Sequence, residues 1–240
     1  MMFLSTIKKL IPLAVCTILL SGMGCQKKDY FENTGTHEAN FQGNVLQYLQ
    51  SKPGMFDSVV KIIHLAGMDQ VFENEEITFF APADSSIRST LRFLNSSLAM
   101  LGQPEVKRME QIKPEVWRQQ LSRYLFKGKK GMNDFPQLDP ANVSAYPGRI
   151  YSSYSGEIMN VGVIYNDAGG VKYAGYRQLV LSFIPSQSTP LDYQSWYPVV
   201  VASVNIAPTN GYVHALKFSQ HNFGFSADQF IEHAIASGID

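Results

Sequence analysis

Cysteine is almost missing from this chain: only Cys16 and Cys25 occur in 240 residues. Two thiols cannot build a disulfide framework or a four-cysteine zinc site. No run of basic residues is present, and 20 Lys and Arg balance 20 Asp and Glu. A phosphate backbone demands a positive stripe, so a nucleic-acid partner is excluded from the expected functions. The longest apolar run, Leu10 to Leu20, is too short to span a bilayer. The chain also lacks a Gly-x-Ser-x-Gly elbow, a phosphate-cradling glycine loop and the paired histidines of a zinc protease helix. His37, His64, His221 and His233 are scattered at no metal-like spacing, and no cofactor is expected.

Lys8 and Lys9 precede the apolar run, and small residues with Cys25 follow it, which is the layout of an export signal over residues 1–24. The stretch "LLSGMGCQKK" resembles a bacterial lipoprotein signal, with Gly24 before the cysteine and Gly22 where a leucine is usual. The resemblance implies acylation of Cys25 and anchoring in outer-membrane lipid, at the cell surface, by more than one acyl chain. Cleavage before Cys25 would remove Cys16, Lys8 and Lys9, leaving 18 basic against 20 acidic side chains, a net charge of −2. With Cys25 acylated no free thiol would remain, which excludes a thiolate nucleophile. Residues 25–43 are polar and aperiodic and read as a flexible tether.

Apolar residues make up 45% of the chain and charged ones 17%, so residues 44–240 are expected to form one domain around a single core. From Asn44 to Phe72 the pattern is helical: Phe56, Val59, Val60, Ile63 and Ala66 line one face, Gly67 stops it, and a shorter turn carries Val71 and Phe72. Ile77 to Phe80 reads as a strand. Ile87, Leu91, Leu94, Leu98 and Leu101 mark a second helix that ends at Gly102. Pro114 opens a third, which carries Val116, Trp117, Leu121, Tyr124 and Leu125 before Gly128. Beyond Gly131 the period becomes alternating, and strands are expected over 157–165, 171–176, 178–184, 197–207 and 212–218. Residues 166–170 join one hairpin. Asn210-Gly211, a dipeptide that tolerates positive φ, joins another. The fold class is α+β, helices first and then an antiparallel sheet system.

This order resembles the fasciclin domain over most of residues 44–225. "TFFAPAD", Thr78 to Asp84, carries the first motif, with Pro82 inside it. "ASVNIAPTNGYVHALKF", Ala202 to Phe218, carries the second, with Asn210, Gly211 and His214. "LSRYLFKGK" matches a third segment at Leu121, Tyr124 and Gly128, with Leu125 where the family has histidine, so receptor binding through that segment is not carried over. The resemblance implies a wedge-shaped β-sandwich flanked by helices. It also implies a non-enzymatic role in surface adhesion, with a protein partner or a glycan as ligand. Such lipoproteins resemble accessory parts of outer-membrane nutrient uptake assemblies. A purely structural subunit is the alternative, and a surface hydrolase a further one.

Asp84 precedes the second helix and is expected to cap that helix, accepting from its first N–H groups. His214 is expected to be a structural hydrogen-bonder, because a buried imidazole needs a partner for each nitrogen. Ser58 and Lys61 match a Ser-x-x-Lys pattern, but the companion motifs are missing and chance explains it. Eight of the twelve tyrosines fall within an aromatic-rich insertion at 146–197, which points to sheet faces or to a binding surface. Within "STPLDYQSWYP", Tyr193, Trp196 and Tyr197 are candidates for stacking on a sugar or anchoring a protein. Alternatively, Trp196 plugs the insertion onto the core.

Overall fold

In the computed structural model the described residues are 40–186, 192–217 and 221–240. The expected signal, Cys25, most of the tether, residues 188–191 of the aromatic loop and Phe218 lie outside them. No helix among the described residues is long and apolar enough to cross a membrane.

The stretch expected to be helical from Asn44 to Phe72 is three helices. The first, α1 (Val45–Gln50), opens with a capping box in which Asn44 Oδ1 accepts from Gln47 N and Gln47 Oε1 accepts from Asn44 N, both at 2.9 Å. Pro53 and Gly54, the latter at φ 79°, interrupt the chain before α2 (Asp57–Leu65). Gly67 at φ 62° ends that helix, and α3 (Asp69–Asn74) follows. The strand β1 (Ile77–Ala81) is buried at every position. Next come α4 (Asp84–Met100), terminated near Gly102 at φ 69°, and α5 (Pro114–Ser122), with Pro114 in its first turn. Tyr124 and Leu125, expected on the third helix, lie past its end, and Leu125 starts β2 (Leu125–Lys127).

The remaining strands are β3 (Arg149–Ser152), β4 (Ile158–Tyr165), β5 (Arg177–Phe183), β6 (Tyr197–Ile206) and β7 (Gly211–Leu216), and α6 (Ala227–Ser237) closes the chain. They form one seven-stranded sheet in the order β2-β1-β7-β6-β5-β4-β3. The sheet is mixed, because β1 runs parallel to β7. Its two outer strands approach each other. Tyr154 N, just past β3, donates to Leu125 O of β2 at 2.8 Å, and the Phe126 and Tyr151 rings meet edge to face at 6.3 Å. Rather than a plain wedge-shaped sandwich, the sheet curls into a near-closed barrel. The long strand β6 makes this possible: residues 197–200 pair with β5, and residues from Val201 onward pair with β7 through two register shifts.

No strand forms over 171–176. Tyr165 pairs directly with Arg177, so residues 166–176 are one connection. Gly169, Gly170 and Tyr173 all take positive φ there, which an extended strand does not allow.

The core is continuous from the helices through the curled sheet. Phe72 packs edge to face on Phe79 at 4.9 Å on the helical side, whereas Phe80 meets Phe126 at 5.7 Å and Phe135 at 6.1 Å on the other face of β1. A small second cluster of Leu138, Val143, Val180, Ile184 and Trp196 covers the outside of β4 and β5. Gly162 admits this cover, since a Cβ there would lie 2.5 Å from Leu138 Cβ.

Asn210-Gly211 is not the positive-φ turn its sequence suggests. The positive φ falls on Asn205 at 60°, and Asn210 acts through its side chain. Its Oδ1 accepts from Val45 N at 2.8 Å, and its Nδ2 donates to Phe72 O and Glu75 O, each at 3.0 Å. One carboxamide thus joins α1, α3 and the entry to β7. Gly211 lies against β1, where a Cβ would come 2.1 Å from Ile77 O. We expect Asn210→Ala to cost about 3 kcal/mol by stranding these main-chain groups, and Asn210→Asp, which keeps the acceptor for Val45 N but turns a carboxylate oxygen toward the Phe72 and Glu75 carbonyls, to cost at least as much. Urea midpoints at unchanged m-value would check both.

Candidate functional site

The first signature segment places Thr78 on β1 and carries the chain through buried Pro82 to Asp84. Thr78 Oγ1 donates to Gly128 O at 2.7 Å and accepts from Lys130 N at 2.9 Å. The second segment places His214 on β7, fully buried, with Nε2 2.9 Å from Lys130 O and Nδ1 accepting from Asn205 N at 3.3 Å. A nitrogen that accepts from an amide and another that faces a carbonyl fix one tautomer: neutral, with the proton on Nε2. Burial pushes the His214 pKa down from 6.5 to about 4, with the Lys130 carbonyl opposing the shift. Asn205 Oδ1 accepts from Met132 N at 2.7 Å. Thr78, His214 and Asn205 together therefore pin the segment 128–132 that leaves β2.

Asp84 does not cap the helix it begins. Ala83 is the N-cap of α4, and no side chain bonds there. Asp84 Oδ1 instead accepts from Ser58 N at 2.8 Å, in the first turn of α2, and Asp84 N donates to Met55 O at 3.1 Å. That helix has no side-chain cap of its own, since its N-cap is Phe56. The carboxylate is 4% exposed and joins two helices that share no contiguous sequence.

Tyr124 sits at the end of α5, where its hydroxyl accepts from Gly224 N at 2.8 Å and its ring stacks on Phe225 at 4.8 Å. Burial pushes its phenol above the ordinary range. Beside it lies a pair that periodicity did not single out. Arg123, 3% exposed, holds Glu157 with two bonds of 2.7 Å, donates to Gly224 O at 2.5 Å and lies 4.6 Å from the Phe183 ring centre. The one available signal was an arginine breaking an otherwise apolar stretch, "LSRYLF".

The aromatic loop does not present three rings to solvent. Trp196 is 5% exposed and belongs to the cluster over β4 and β5, with Tyr193 packed on it at 5.3 Å. Only Tyr197 is well exposed, and it lies 6.2 Å from Phe183. Trp196 is the plug.

A more open surface lies beside Asp84. There a groove of about 380 Å³ runs between the loop before α2, the start of α4 and the bulged part of β6 with β7. Met55, Phe56 and Leu216 give it apolar walls, Ser203 and Arg88 give it polar ones, and Asp84 lies in its floor. Met55 and Arg88 are exposed at its rim. A mostly apolar cleft with a few convergent polar groups is the usual form of a recognition site. His214 does not line it, so the two signature side chains do not converge on one opening. Among the described residues no group of three His, Cys, Asp or Glu side chains is placed to hold a metal.

No family model matches the chain. No curated protein matches it either. Among solved structures it is distantly similar to a FAS1 domain pair from the insect cell adhesion molecule fasciclin I, at 17% identity and a TM-score of 0.46. The similarity covers 73% of this chain and 50% of that one, so this chain spans about half the length of the pair.

Two outcomes are expected of the signature residues. Asp84→Ala should cost about 1 kcal/mol, as loss of a helix cap does, and should speed amide exchange at Ser58 rather than in the first turn of α4. His214 binds its proton more weakly folded than unfolded. Its contribution to stability is therefore complete above pH 6.5 and is lost as pH falls toward 4, by up to ~3 kcal/mol. Burial lowers His221 in the same direction, so His214→Gln should remove part of the acid slope in urea midpoints, not all of it.

Proposed function

We propose that this chain is a non-catalytic recognition module with a fasciclin-like fold, held on the outer membrane at the cell surface by acylated Cys25. In this reading the curled sheet is a closed form of the fasciclin wedge, with β6 shared between its two ladders. One observation carries the proposal: in the two signature segments the side chains of Thr78, Asp84, Asn210 and His214 are bonded to the main chain. Thr78 serves Gly128 and Lys130, Asp84 serves Ser58, Asn210 serves Val45, Phe72 and Glu75, and His214 serves Lys130 and Asn205. Groups so engaged assemble a scaffold. A general base or nucleophile needs a proton-transfer partner at a reactive position instead.

The groove beside Asp84 is then the contact face for a protein partner, most simply a component of an outer-membrane nutrient uptake assembly. Apolar walls with one cationic rim residue suit a partner segment that offers an apolar side chain next to an acidic one. The polar tether between Cys25 and the domain would let that face reach a neighbour in the same membrane.

Expressed at full length in a Gram-negative host, the chain should incorporate labelled palmitate and sediment with the outer membrane, and Cys25→Ala should abolish both. Retention of the unlabelled mutant in the membrane would overturn the anchor. For the contact face, Met55→Glu and Arg88→Glu should each lower cross-linking to the co-purifying partner at least tenfold while leaving the melting temperature unchanged. Undiminished cross-linking in both would move the contact elsewhere.

A further inference from the structure

A smaller recess lies further along β6, among Asn40, the turn Gly131 to Asp134, Asn205 and Tyr212, with a volume of about 220 Å³. Its walls are held by bonds already in place. Met132 N donates to Asn205 Oδ1, and Gly131 N donates to Asp134 Oδ2, each at 2.7 Å. Phe41 N donates to Ala207 O at 3.1 Å, which brings Asn40 alongside the end of β6. Behind them, His214 and Thr78 hold Lys130 from both sides. Such a recess is preorganised and needs little ordering to receive a ligand.

Its floor is a glycine that backbone conformation does not require. Gly131 has φ −83°, which any residue can adopt. A Cβ there would nonetheless meet Asn205 Oδ1 at 3.1 Å, Asp134 Oδ2 at 3.7 Å and Tyr212 Cζ at 3.7 Å. Glycine thus keeps open the space on which a carboxamide, a carboxylate and an aromatic ring converge.

The lining selects among ligand classes. An anion would face the Asp134 carboxylate. A divalent cation needs several charged or neutral oxygens, but Asp134 is the one carboxylate in the lining and one of its oxygens already accepts from Gly131 N. An apolar ligand would cover the carboxamides of Asn40 and Asn133 and the Asn205 amide nitrogen without offering them a partner. A neutral polyhydroxylated ring satisfies all of them: its hydroxyls both donate and accept, as carboxamides and a carboxylate require, and its C–H face packs on an aromatic ring. The volume is below the roughly 300 Å³ at which drug-sized pockets begin, so one such ring is the fit.

We infer that this recess binds a single neutral sugar unit of a glycan, with Tyr212 as the packing surface and Asn133, Asp134 and Asn205 as the hydroxyl partners. The inference deepens the surface-recognition reading by naming a glycan ligand, but it depends on neither the Cys25 anchor nor the groove beside Asp84. The test uses the purified full chain and the methyl glycosides of glucose, galactose and mannose, read by saturation-transfer NMR. At least one glycoside should receive saturation at millimolar concentration, with or without EDTA. Asn133→Ala, at an exposed position, should weaken that binding about tenfold at unchanged melting temperature, and Tyr212→Leu should weaken it by a similar factor. Met55→Glu, in the separate groove, should leave it intact. Absence of transfer to all three glycosides would overturn the inference, as would transfer that survives both recess variants or that disappears with EDTA. Failure of Cys25→Ala to leave the membrane would count against the anchor alone.

Discussion

A parallel strand pair made from the two ends of a domain cannot be closed by a tight turn, so the segments leading into it carry main-chain groups with no ladder partner. In this protein β1 and β7 are that pair, and the fold depends on how those groups are satisfied. Side chains do it. Asn210 takes up the start of α1 and the carbonyls around the end of α3, while Thr78 and His214 take up the segment that leaves β2. Each bond joins segments far apart in sequence. Such polar networks are worth most when every member is satisfied, and they are costly when one is removed.

The same logic accounts for the partners of the residues that look chemical. An aspartate at a strand end and a histidine on the next strand are what a hydrolase would need, and the geometry gives both to the backbone. Asp84 lies at the junction of α2 and α4, and His214 lies among Phe80, Phe135 and Tyr212 with both nitrogens engaged. Arg123 and Glu157 repeat the theme with charge. A buried bidentate pair gains little over apolar packing, but it penalises any arrangement that separates the end of α5 from the start of β4. The surfaces these bonds create are an apolar groove at one bend of β6 and a polar recess at another.

Much of the fold was legible along the chain, and the misreadings have particular causes. The helical stripes of α2, α4 and α5 and the alternation of β4, β5, β6 and β7 were readable because each repeats over enough residues for one face to declare itself. The break at Pro53-Gly54 was visible as residues but outweighed by the periodicity on either side. β2 and β3 span three and four residues, too few to show a period, and α6 follows the strand-rich segments. Val171 to Tyr176 has strand composition, yet glycines at 169 and 170 let the chain wander until Arg177 rejoins the ladder. Trp196 shows the limit at a site: the residue that composition offers to a ligand is spent covering Val180 and Ile184.

What the sequence by itself determined is local: which segments are amphipathic, where Gly67, Gly102 and Pro114 stop and start helices, and that few charges and scarcely any cysteine leave the domain to be held by an apolar core. These follow from interactions within a few turns or residues, so they are written in short patterns. Only the tertiary structure decided which helix Asp84 caps, which main-chain groups Asn210 and His214 serve, and that the sheet curls until β2 and β3 nearly meet. Those outcomes depend on atoms brought together across long stretches of chain, and a hydrogen-bonding side chain carries no mark of the distant partner it will meet.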